Sequence, residues 1–267
     1  MYFDKQIYKD SSMKLLFRLI ITLIFCISGN HSLHADKPSV EELTWWVAAD
    51  SHVGHSSEPS TGEHLARSIA DVNELGIADY AVMLGDLLED DYAFSTPFIR
   101  TMNQLETNWT YVLGNHDFIR DANEPVLPVH YSGKTVKGIR FIFLSDEVTG
   151  AQDRDLVMSE EQEEWFWEEL ETHSDKPVFI FTHQPHPEFQ KWPRLKEALD
   201  EYNIETWISG HKHDWNIEKN TNYGFAMINI HSIGGVRDDY LSTFLSLDRT
   251  DHTVTVTVNF RNHETEE

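Results

Sequence analysis

An α/β sandwich is the fold that this 267-residue sequence predicts. Apolar runs rich in β-branched and aromatic residues alternate with helical patterns along most of the chain, and strand-like runs follow one another without helices near its C-terminal end. Strands that alternate with helices and then continue alone are typical of this fold class. Hydrophobic residues make up 40% of the sequence and aromatic residues 12%, which suits a packed core rather than a disordered chain.

Nine short apolar runs predict the strands. They are residues 45–49, 80–84, 109–113, 139–144, 178–182, 206–209, 225–230, 241–247 and 253–258. In the last run Thr and Val alternate strictly, as expected for a strand with one buried face. Together with the two runs before it, this run predicts an antiparallel segment at the C-terminal end.

Three segments between the strands predict helices. Residues 61–75 place apolar side chains at helical spacing, and Gly76 follows them, as glycine often does just past a helix end. Residues 159–162, with the sequence Ser-Glu-Glu-Gln, form a capping box that opens a helix through about Leu170. Residues 193–199 predict a shorter helix.

Residues 1–35 predict a secretory signal peptide, with Met13 as a possible true start. Lys14 and Arg18 supply a basic flank, residues 19–27 are apolar, and Ala35 is a small residue at the expected cleavage point. The apolar run is too short to span a bilayer, which needs about 20 apolar residues. An uncleaved amphipathic anchor is the alternative. We therefore expect an exported protein, either periplasmic or secreted.

The single cysteine, Cys26, lies within this N-terminal segment. A lipoprotein signal at this position is disfavoured because Phe25 is bulky where such a signal has a small residue. A mature chain that begins at Asp36 would have no cysteine, which excludes disulfides, cysteine nucleophiles and cysteine-ligated zinc. We find no internal repeat, low-complexity tract or Gly/Ser linker after residue 36, so we expect one domain at residues 36–267.

The chain is strongly acidic, with a formal net charge of −24. Such a surface repels the phosphates of nucleic acids and anionic membranes, so a nuclease that acts on long polymers is disfavoured. A solubility adaptation is the alternative explanation of the charge.

Five polar clusters each follow one of the predicted strands. They are Asp50-Ser51-His52, Gly85-Asp86, Gly114-Asn115-His116-Asp117, Thr182-His183 and Gly210-His211-Lys212-His213. Ligands bind at the carboxyl ends of the strands in open α/β sheets. Side chains at positions i and i+2 of an extended segment point the same way, so Asp50 with His52, and His211 with His213, can each face one site.

The residue types in these clusters suit a metal ion. Carboxylates, imidazoles and amide oxygens are ligands of borderline-to-hard divalent or trivalent ions. A single Asp-x-His or His-x-His is more often structural, and Gly-Asp turns are common. Five such clusters in order, each ending a strand, are a much stronger signal, and they predict a metal site. We expect Asp117 to stabilise its turn rather than to bind metal.

These five clusters resemble the ordered motifs of the calcineurin-like metallophosphoesterase superfamily, over residues 50–213. Within it, residues 182–187 look most similar to the branch that hydrolyses cyclic nucleotides and small phosphodiesters. The resemblance implies a four-layer α/β sandwich, in which two mixed sheets are flanked by helices. The Asp-Arg-Gly that follows the second motif in Ser/Thr protein phosphatases is absent, and so is the Tyr ligand of purple acid phosphatases.

The resemblance implies seven ligands for two divalent or trivalent ions, for which Fe, Mn or Zn are expected. One ion takes Asp50, His52, Asp86 and His213. The second ion takes Asp86, Asn115, His183 and His211. Asp86 thus bridges ions that lie about 3.5–4 Å apart in such sites.

The same resemblance implies a reaction on a small phosphomonoester or phosphodiester. A water shared by the two metals becomes hydroxide near neutral pH and attacks phosphorus in line. His116 resembles the histidine that protonates the leaving oxygen. Glu89 occupies the position, three residues after Asp86, where relatives often carry a carboxylate that orients this histidine, although Glu89 is one methylene longer.

Two alternatives keep the fold and change the function. One is a catalytically silent metal-binding scaffold, although the chain retains all eight ligand and catalytic-histidine positions. The other is a nuclease of the same superfamily, which the net charge disfavours. His55, His186 and His231 lie near the motifs and could contact substrate, and the sequence leaves the oligomeric state open.

Overall fold

A computed structural model describes residues 16–19, 41–55, 62–119, 122, 124–147, 158–185, 201–219, 225–234, 241–250 and 253–262. For residues 16–19, 41–42, 219, 241–242, 248–250 and 253–262 only the backbone is described. The predicted helix at residues 193–199 lies outside these ranges, as does His186. Within the described residues, no helix is both long and apolar enough to cross a membrane.

The described strands are β1 Leu16–Leu19, β2 Glu41–Ala48, β3 Tyr80–Leu84, β4 Trp109–Val112, β5 Phe118–Ile119, β6 Glu124–Pro125, β7 Ser132–Val136, β8 Ile139–Phe143, β9 Val178–Phe181, β10 Ile204–Ser209, β11 Asn216–Lys219, β12 Ala226–Asn229, β13 Leu241–Thr250 and β14 Thr253–Asn262. All nine predicted strands are therefore confirmed, within a few residues at their ends. The sequence did not predict the other five, which are β1, β5, β6, β7 and β11. In β7 and β11 polar residues conceal the pattern of an edge strand.

One six-stranded mixed sheet, sheet I, has the strand order β1-β14-β13-β2-β3-β4. β2, β3 and β4 run parallel, whereas β13 pairs antiparallel with both β2 and β14. The predicted antiparallel C-terminal segment is thus confirmed for β13 and β14. It is wrong for residues 225–230, because β12 lies in the other sheet, where it pairs parallel with β10 and antiparallel with β11. β1, which lies inside the predicted signal peptide, pairs antiparallel with β14 at the edge of this sheet.

A second six-stranded mixed sheet, sheet II, has the order β11-β12-β10-β9-β8-β7. Its four central strands are parallel, and β11 and β7 pair antiparallel at the two edges. The two sheets pack face to face over a core of apolar side chains. Trp45 on β2 lies in this core and contacts Phe141, Phe143 and Phe181 of sheet II, with ring centroids 4.8–5.8 Å apart.

Helices cover the outer faces of both sheets. α1 Glu63–Leu75 and α2 Ser95–Met102 pack on the side of sheet I that carries Trp46, and α3 Glu160–Thr172 packs on sheet II. Adjacent residues Trp45 and Trp46 face different cores because side chains alternate along a strand. The predicted four-layer sandwich is confirmed.

The predicted end of α1 is confirmed, whereas the capping box predicted at the start of α3 forms only in part. Gly76 ends α1 in the left-handed conformation, at φ 59°, as predicted. Ser159 caps α3 by accepting a hydrogen bond from the Gln162 N–H, but the Gln162 side chain does not complete the capping box. It is fully buried and bonds both backbone groups of Ser145 at 2.9 Å, so it ties α3 to the strand end of β8.

Candidate metal centre

The five predicted clusters meet where the carboxyl ends of the two sheets converge. In sheet I, the N–H of Asp50 donates to the carbonyl of Gly85 at 3.0 Å, and the N–H of His52 donates to the carbonyl of Asp86 at 2.9 Å. The N–H of His211, from sheet II, donates to Asp50 Oδ2 at 3.0 Å. Backbone hydrogen bonds therefore hold the strand ends of sheet I together, and the Asp50 carboxylate connects them to the strand end of sheet II.

Five of the seven predicted ligands have a left-handed backbone, which is uncommon for residues other than glycine. They are Asp50 (φ 55°), His52 (φ 42°), Asp86 (φ 49°), His211 (φ 69°) and His213 (φ 56°). Each such residue costs about 1–3 kcal/mol and is found mainly where function requires it. The chain turns sharply after each strand, and these turns aim the side chains at one centre.

Two glycines allow the strand ends to approach this closely. A Cβ on Gly85 would lie 2.5 Å from Cβ of His183, and a Cβ on Gly114 would lie 2.5 Å from Oδ1 of Asp86. Gly85 also has φ 70°, where a side chain would be strained. The Gly-Asp and Gly-Asn motifs therefore carry a steric requirement as well as ligands.

The first ligand group contains Asp50, His52, Asp86 and His213, whose ligand atoms all lie within 4.8 Å of one another. His213 Nε2 lies 3.2 Å from both Asp50 Oδ1 and His52 Nε2, and His52 Nε2 lies 3.7 Å from Asp86 Oδ2. Asp50, His52 and Asp86 are buried. This is the set that the sequence resemblance assigns to the first ion.

The second ligand group contains Asp86, His183 and His211. His183 Nε2 lies 3.1 Å from Asp86 Oδ2 and 3.2 Å from His211 Nδ1. Asn115 Oδ1 lies 3.2 Å from the same His183 nitrogen, so the amide oxygen is in place beside the group. Together these four residues are the set assigned to the second ion, and Asp86 belongs to both groups.

The donor chemistry of both groups fits a metal ion. Pairs of imidazole nitrogens face each other at 3.2 Å, an arrangement that needs a cation or a shared proton between them. His183 Nδ1 donates to the carbonyl of Leu84 at 2.8 Å, so Nε2, which faces Asp86, is the nitrogen available to a metal ion. Such outer hydrogen bonds fix the tautomer and orientation of histidine ligands.

Opposite charges shift the pKa values of the buried groups. Burial disfavours the ionised Asp86, but the charge of His183 outweighs it and holds the pKa of Asp86 well below its usual range. Burial also opposes protonation of His52 and His183, yet Glu89 and Asp86 raise the pKa of His52 to about 9, and Asp86 raises that of His183 to about 10. Burial and the neighbouring His183 lower the pKa of His211 to about 4. The carboxylates therefore stabilise positively charged groups in this centre.

His116 lies beside the metal-ligand groups and is held from two directions. Its backbone N–H donates to Asp86 Oδ1 at 2.8 Å, and its ring lies 5.2 Å from that of His52. Its side-chain Nδ1 lies 3.5 Å from Glu89 Oε1 and 3.4 Å from Asp90 Oδ1. The structure thus places Glu89 at the predicted position and adds Asp90, which the sequence did not single out.

Glu89 has a second contact that the sequence did not predict. Its Oε2 lies 2.9 Å from Nδ1 of His52, a predicted ligand of the first ion. One carboxylate therefore lies between His52 and His116. A glutamate reaches both rings, and its hydrogen bond to His52 lowers its own pKa against the opposing effect of burial.

Asp117 stabilises the motif turn, as predicted. Its Oδ1 accepts from the N–H groups of Leu87 and Leu88 at 2.8 and 3.0 Å, and its Oδ2 accepts from that of Gly114 at 2.8 Å. Burial and the neighbouring Asp86 raise the pKa of Asp117 to about 8. This side chain ties the turn after β4 to the turn after β3, the two segments that carry Asp86 and Asn115.

The three further histidines are placed differently. The His55 ring centroid lies 6.1 Å from that of His52, at the side of the first group. His231 is nearly buried, and its Nδ1 donates to the carbonyl of Ser232 at 2.8 Å. A direct contact of these residues with substrate stays a prediction, and His186 lies outside the described residues.

Besides Asp90, one more residue beside the site was not predicted from the sequence. Gln184 follows His183, is 1% exposed, and donates from Nε2 to Asn115 Oδ1 at 3.1 Å. Its place next to a predicted ligand was the only signal that could have pointed to it.

Comparisons with known proteins agree with this geometry. A family model described as calcineurin-like phosphoesterase matches residues 43–215, more than half of the chain. No curated protein sequence matches. Among solved structures, a dimetal phosphatase from Danio rerio (LOC 393393) is similar with a TM-score of 0.59 at 14% identity, covering 80% of this chain and 98% of that protein.

Two further solved structures share the fold. The protein TT1561 of Thermus thermophilus is similar with a TM-score of 0.52 at 12% identity, covering 77% of this chain and 94% of that one. The NAD nucleotidase of Haemophilus influenzae has a TM-score of 0.52 at 11% identity, with 84% of this chain and 50% of that chain covered. The resemblance read from the motifs is confirmed: the chain belongs to the calcineurin-like phosphoesterase family and is a metallophosphoesterase, a hydrolase acting on phosphoric ester bonds.

Proposed function

We propose that this protein is a two-metal phosphoesterase that hydrolyses a small phosphomonoester or phosphodiester. The observation that carries the proposal is the position of Asp86, which belongs to both ligand groups. A shared carboxylate reduces the repulsion between two cations held a few ångströms apart. Asp50, His52 and His213 would complete the first ion, and Asn115, His183 and His211 the second.

Bound in this way, two ions would supply Lewis acidity toward the phosphoryl oxygens and a nucleophilic water at neutral pH. The chain supplies the geometry. The N–H of His211 and the carbonyl of Gly85 hold Asp50 in place, while the N–H of His116 holds Asp86 through its Oδ1. These contacts leave Asp86 Oδ2, which faces His183 and His52, as the oxygen nearest the proposed ligands.

We propose His116 as the general acid that protonates the leaving oxygen. Glu89 and Asp90 face its Nδ1, so in the imidazolium form the Nδ1 proton points toward these carboxylates and the Nε2 proton is the one that can pass to the substrate. The side chain is 28% exposed, whereas the predicted ligand His183 is fully buried. A partly open imidazole at the edge of a buried cluster suits contact with an incoming ester.

The charge of the chain supports a small substrate. At −24 the molecule would repel the many phosphates of a nucleic acid, whereas a single phosphoryl group can be neutralised by the metals.

We also propose that the protein acts outside the cytoplasm, on the basis of the basic flank and apolar run within residues 1–35. Cell fractionation with N-terminal sequencing tests this, and recovery of cytoplasmic material that retains Met1 or Met13 would refute it.

The proposed activity is tested by metal analysis of the purified protein together with hydrolysis assays. We expect two ions per chain and hydrolysis of p-nitrophenyl phosphate, bis(p-nitrophenyl) phosphate or both. Chelation should abolish activity, and Mn²⁺, Zn²⁺ or Fe²⁺ should restore it. A protein that binds two ions and hydrolyses neither these esters nor a panel of cyclic nucleotides, glycerophosphodiesters and phosphomonoesters would be a scaffold.

A further inference from the structure

We propose that Gln184 is a positioning residue that fixes the amide orientation of Asn115 and thereby sets the affinity of the second metal. The inference rests on the proposed function, because it assigns the second ion to Asn115, His183 and His211. It concerns a glutamine that is not among the seven proposed ligands. Its side chain is 1% exposed and lies directly after the ligand His183.

The contact between the two amides is direct. Gln184 Nε2 donates to Asn115 Oδ1 at 3.1 Å, and the same oxygen lies 3.2 Å from His183 Nε2. Asn115 Oδ1 has two lone pairs. One accepts the hydrogen bond from Gln184, and the other is available on the side of His183 and His211.

Orientation matters because the two ends of an asparagine amide have opposite character. The oxygen can bind a cation, whereas the NH₂ group is a donor that repels one. Rotation of the Asn115 side chain by half a turn would exchange them. In the observed orientation the Gln184 donor meets an acceptor, and in the rotated one two NH₂ groups would face each other. Gln184 therefore favours the orientation that can hold a metal.

Gln184 is itself held through its backbone. Its carbonyl accepts a hydrogen bond from Thr182 Oγ1 at 2.6 Å, and Thr182 Oγ1 accepts one from Trp207 Nε1 at 2.9 Å. Thr182 is fully buried and Trp207 is 1% exposed. A continuous chain of hydrogen bonds thus runs from the core of sheet II through Gln184 to Asn115. Such outer contacts usually change metal affinity or activity about 10–100-fold when they are removed.

The test is metal affinity in Gln184→Met, which keeps the size of the side chain and removes the donor. We expect Co²⁺ or Mn²⁺ titration of the metal-free protein to show a second site weakened about 10–100-fold and a first site within about twofold of wild type. Gln162→Met is the matched control, because Gln162 is equally buried but bonds Ser145. That variant should lose stability while both affinities remain unchanged.

A double-mutant cycle shows whether the effect passes through Asn115. In Asn115→Ala protein, Gln184→Met should cause no further loss at the second site. Equal loss at both sites, loss that adds fully to that of Asn115→Ala, or unchanged affinity would overturn the inference. Should the Gln184 variant not fold, amide NMR of the unaltered protein decides. The Gln184 side-chain resonances should shift as Zn²⁺ fills the second site, and their failure to shift would overturn the inference.

The outcome for Gln184 is separable from that of the proposed function. Wild-type protein that binds no metal, or that binds metal and hydrolyses no ester, refutes the proposed function whatever Gln184 does. Wild-type protein with two sites that the Gln184 variant leaves unchanged refutes the positioning role alone.

Discussion

Replacement of His116 by alanine separates acid catalysis from metal binding. The contact between His116 and Asp86 is made by the backbone N–H, so it survives loss of the ring. Glu89 keeps its contact with His52 at 2.9 Å, so this proposed ligand also stays oriented. We therefore expect His116→Ala to retain both metals and to lose only the proton donor.

The expected loss of rate follows from the proposed role of His116 as general acid. General acid catalysis is worth about 10²–10⁴-fold in rate, which corresponds to about 3–5 kcal/mol of transition-state stabilisation. That loss should appear with alkyl or nucleoside esters, whose alkoxide leaving groups need a proton. It should be far smaller with nitrophenyl esters, because nitrophenolate departs without one.

The assay compares kcat/KM of wild type and His116→Ala on both ester types, with metal content measured on the same samples. His173→Ala is the matched control, since His173 is similarly exposed at 20% and lies at the end of α3. It should change neither rate. An equal loss on both ester types would indicate substrate positioning or charge stabilisation instead. Loss of metal from His116→Ala would refute the assignment and give the ring a structural role.

Three further outcomes follow from the structure. Asp86→Ala should lose both ions, whereas Asn115→Ala should weaken only the binding of the second ion. Two tightly held ions in the Asp86→Ala protein would refute the bridging role of Asp86. Glu205 is buried, and burial raises its pKa from 4.5 to about 7, so stability should fall as the pH rises through that range. Glu205→Gln should then gain roughly 3 kcal/mol in denaturant unfolding at pH 8 and little at pH 4. Gly133→Ala should lose less than the about 1–3 kcal/mol that is typical of overpacking, because its Cβ would meet only the ends of the long Arg140 and Glu169 side chains, which can shift. A larger loss in denaturant unfolding would show that this pair cannot move.

The strands and the ligand set could be predicted because their signals are local. Trp45 and Trp46 show the alternation of a strand buried on both faces, and the polar residues that end each strand stand directly after it in the sequence. The parallel pairing of β2, β3 and β4 then brings those ends together. Motif order and strand ends, together with the family resemblance, were therefore sufficient to name candidate ligands that the structure brings together.

The contacts that depend on tertiary packing could not be predicted. Gln162 occupies the position of a capping-box residue, yet burial under α3 makes Ser145 its partner. Gln184 and Asp90 have no local pattern that distinguishes them from surface residues. Their roles arise because Asn115 and His116, far away in sequence, lie beside them after folding.

The left-handed backbone at the ligand positions leads to a last prediction, on the stability of the metal-free protein. A residue with a side chain costs about 1–2 kcal/mol in this conformation, and glycine avoids that cost. His213 has φ 56°, so His213→Gly should be more stable than His213→Ala by about 1 kcal/mol, although neither can supply the imidazole.

Asn115 provides the control for this comparison, because it is a proposed ligand outside the positive-φ set. There the order should reverse, with Asn115→Gly less stable than Asn115→Ala by about 0.5–1 kcal/mol, since glycine loses more conformational freedom on folding. Denaturant unfolding of the four variants without metal measures both differences. If the alanine variant were the more stable one at both positions, the turn after β10 would have relaxed when His213 was removed. The backbone conformation would then be a consequence of the ligand contacts, and the ligands could not be said to be held in place before the metal binds.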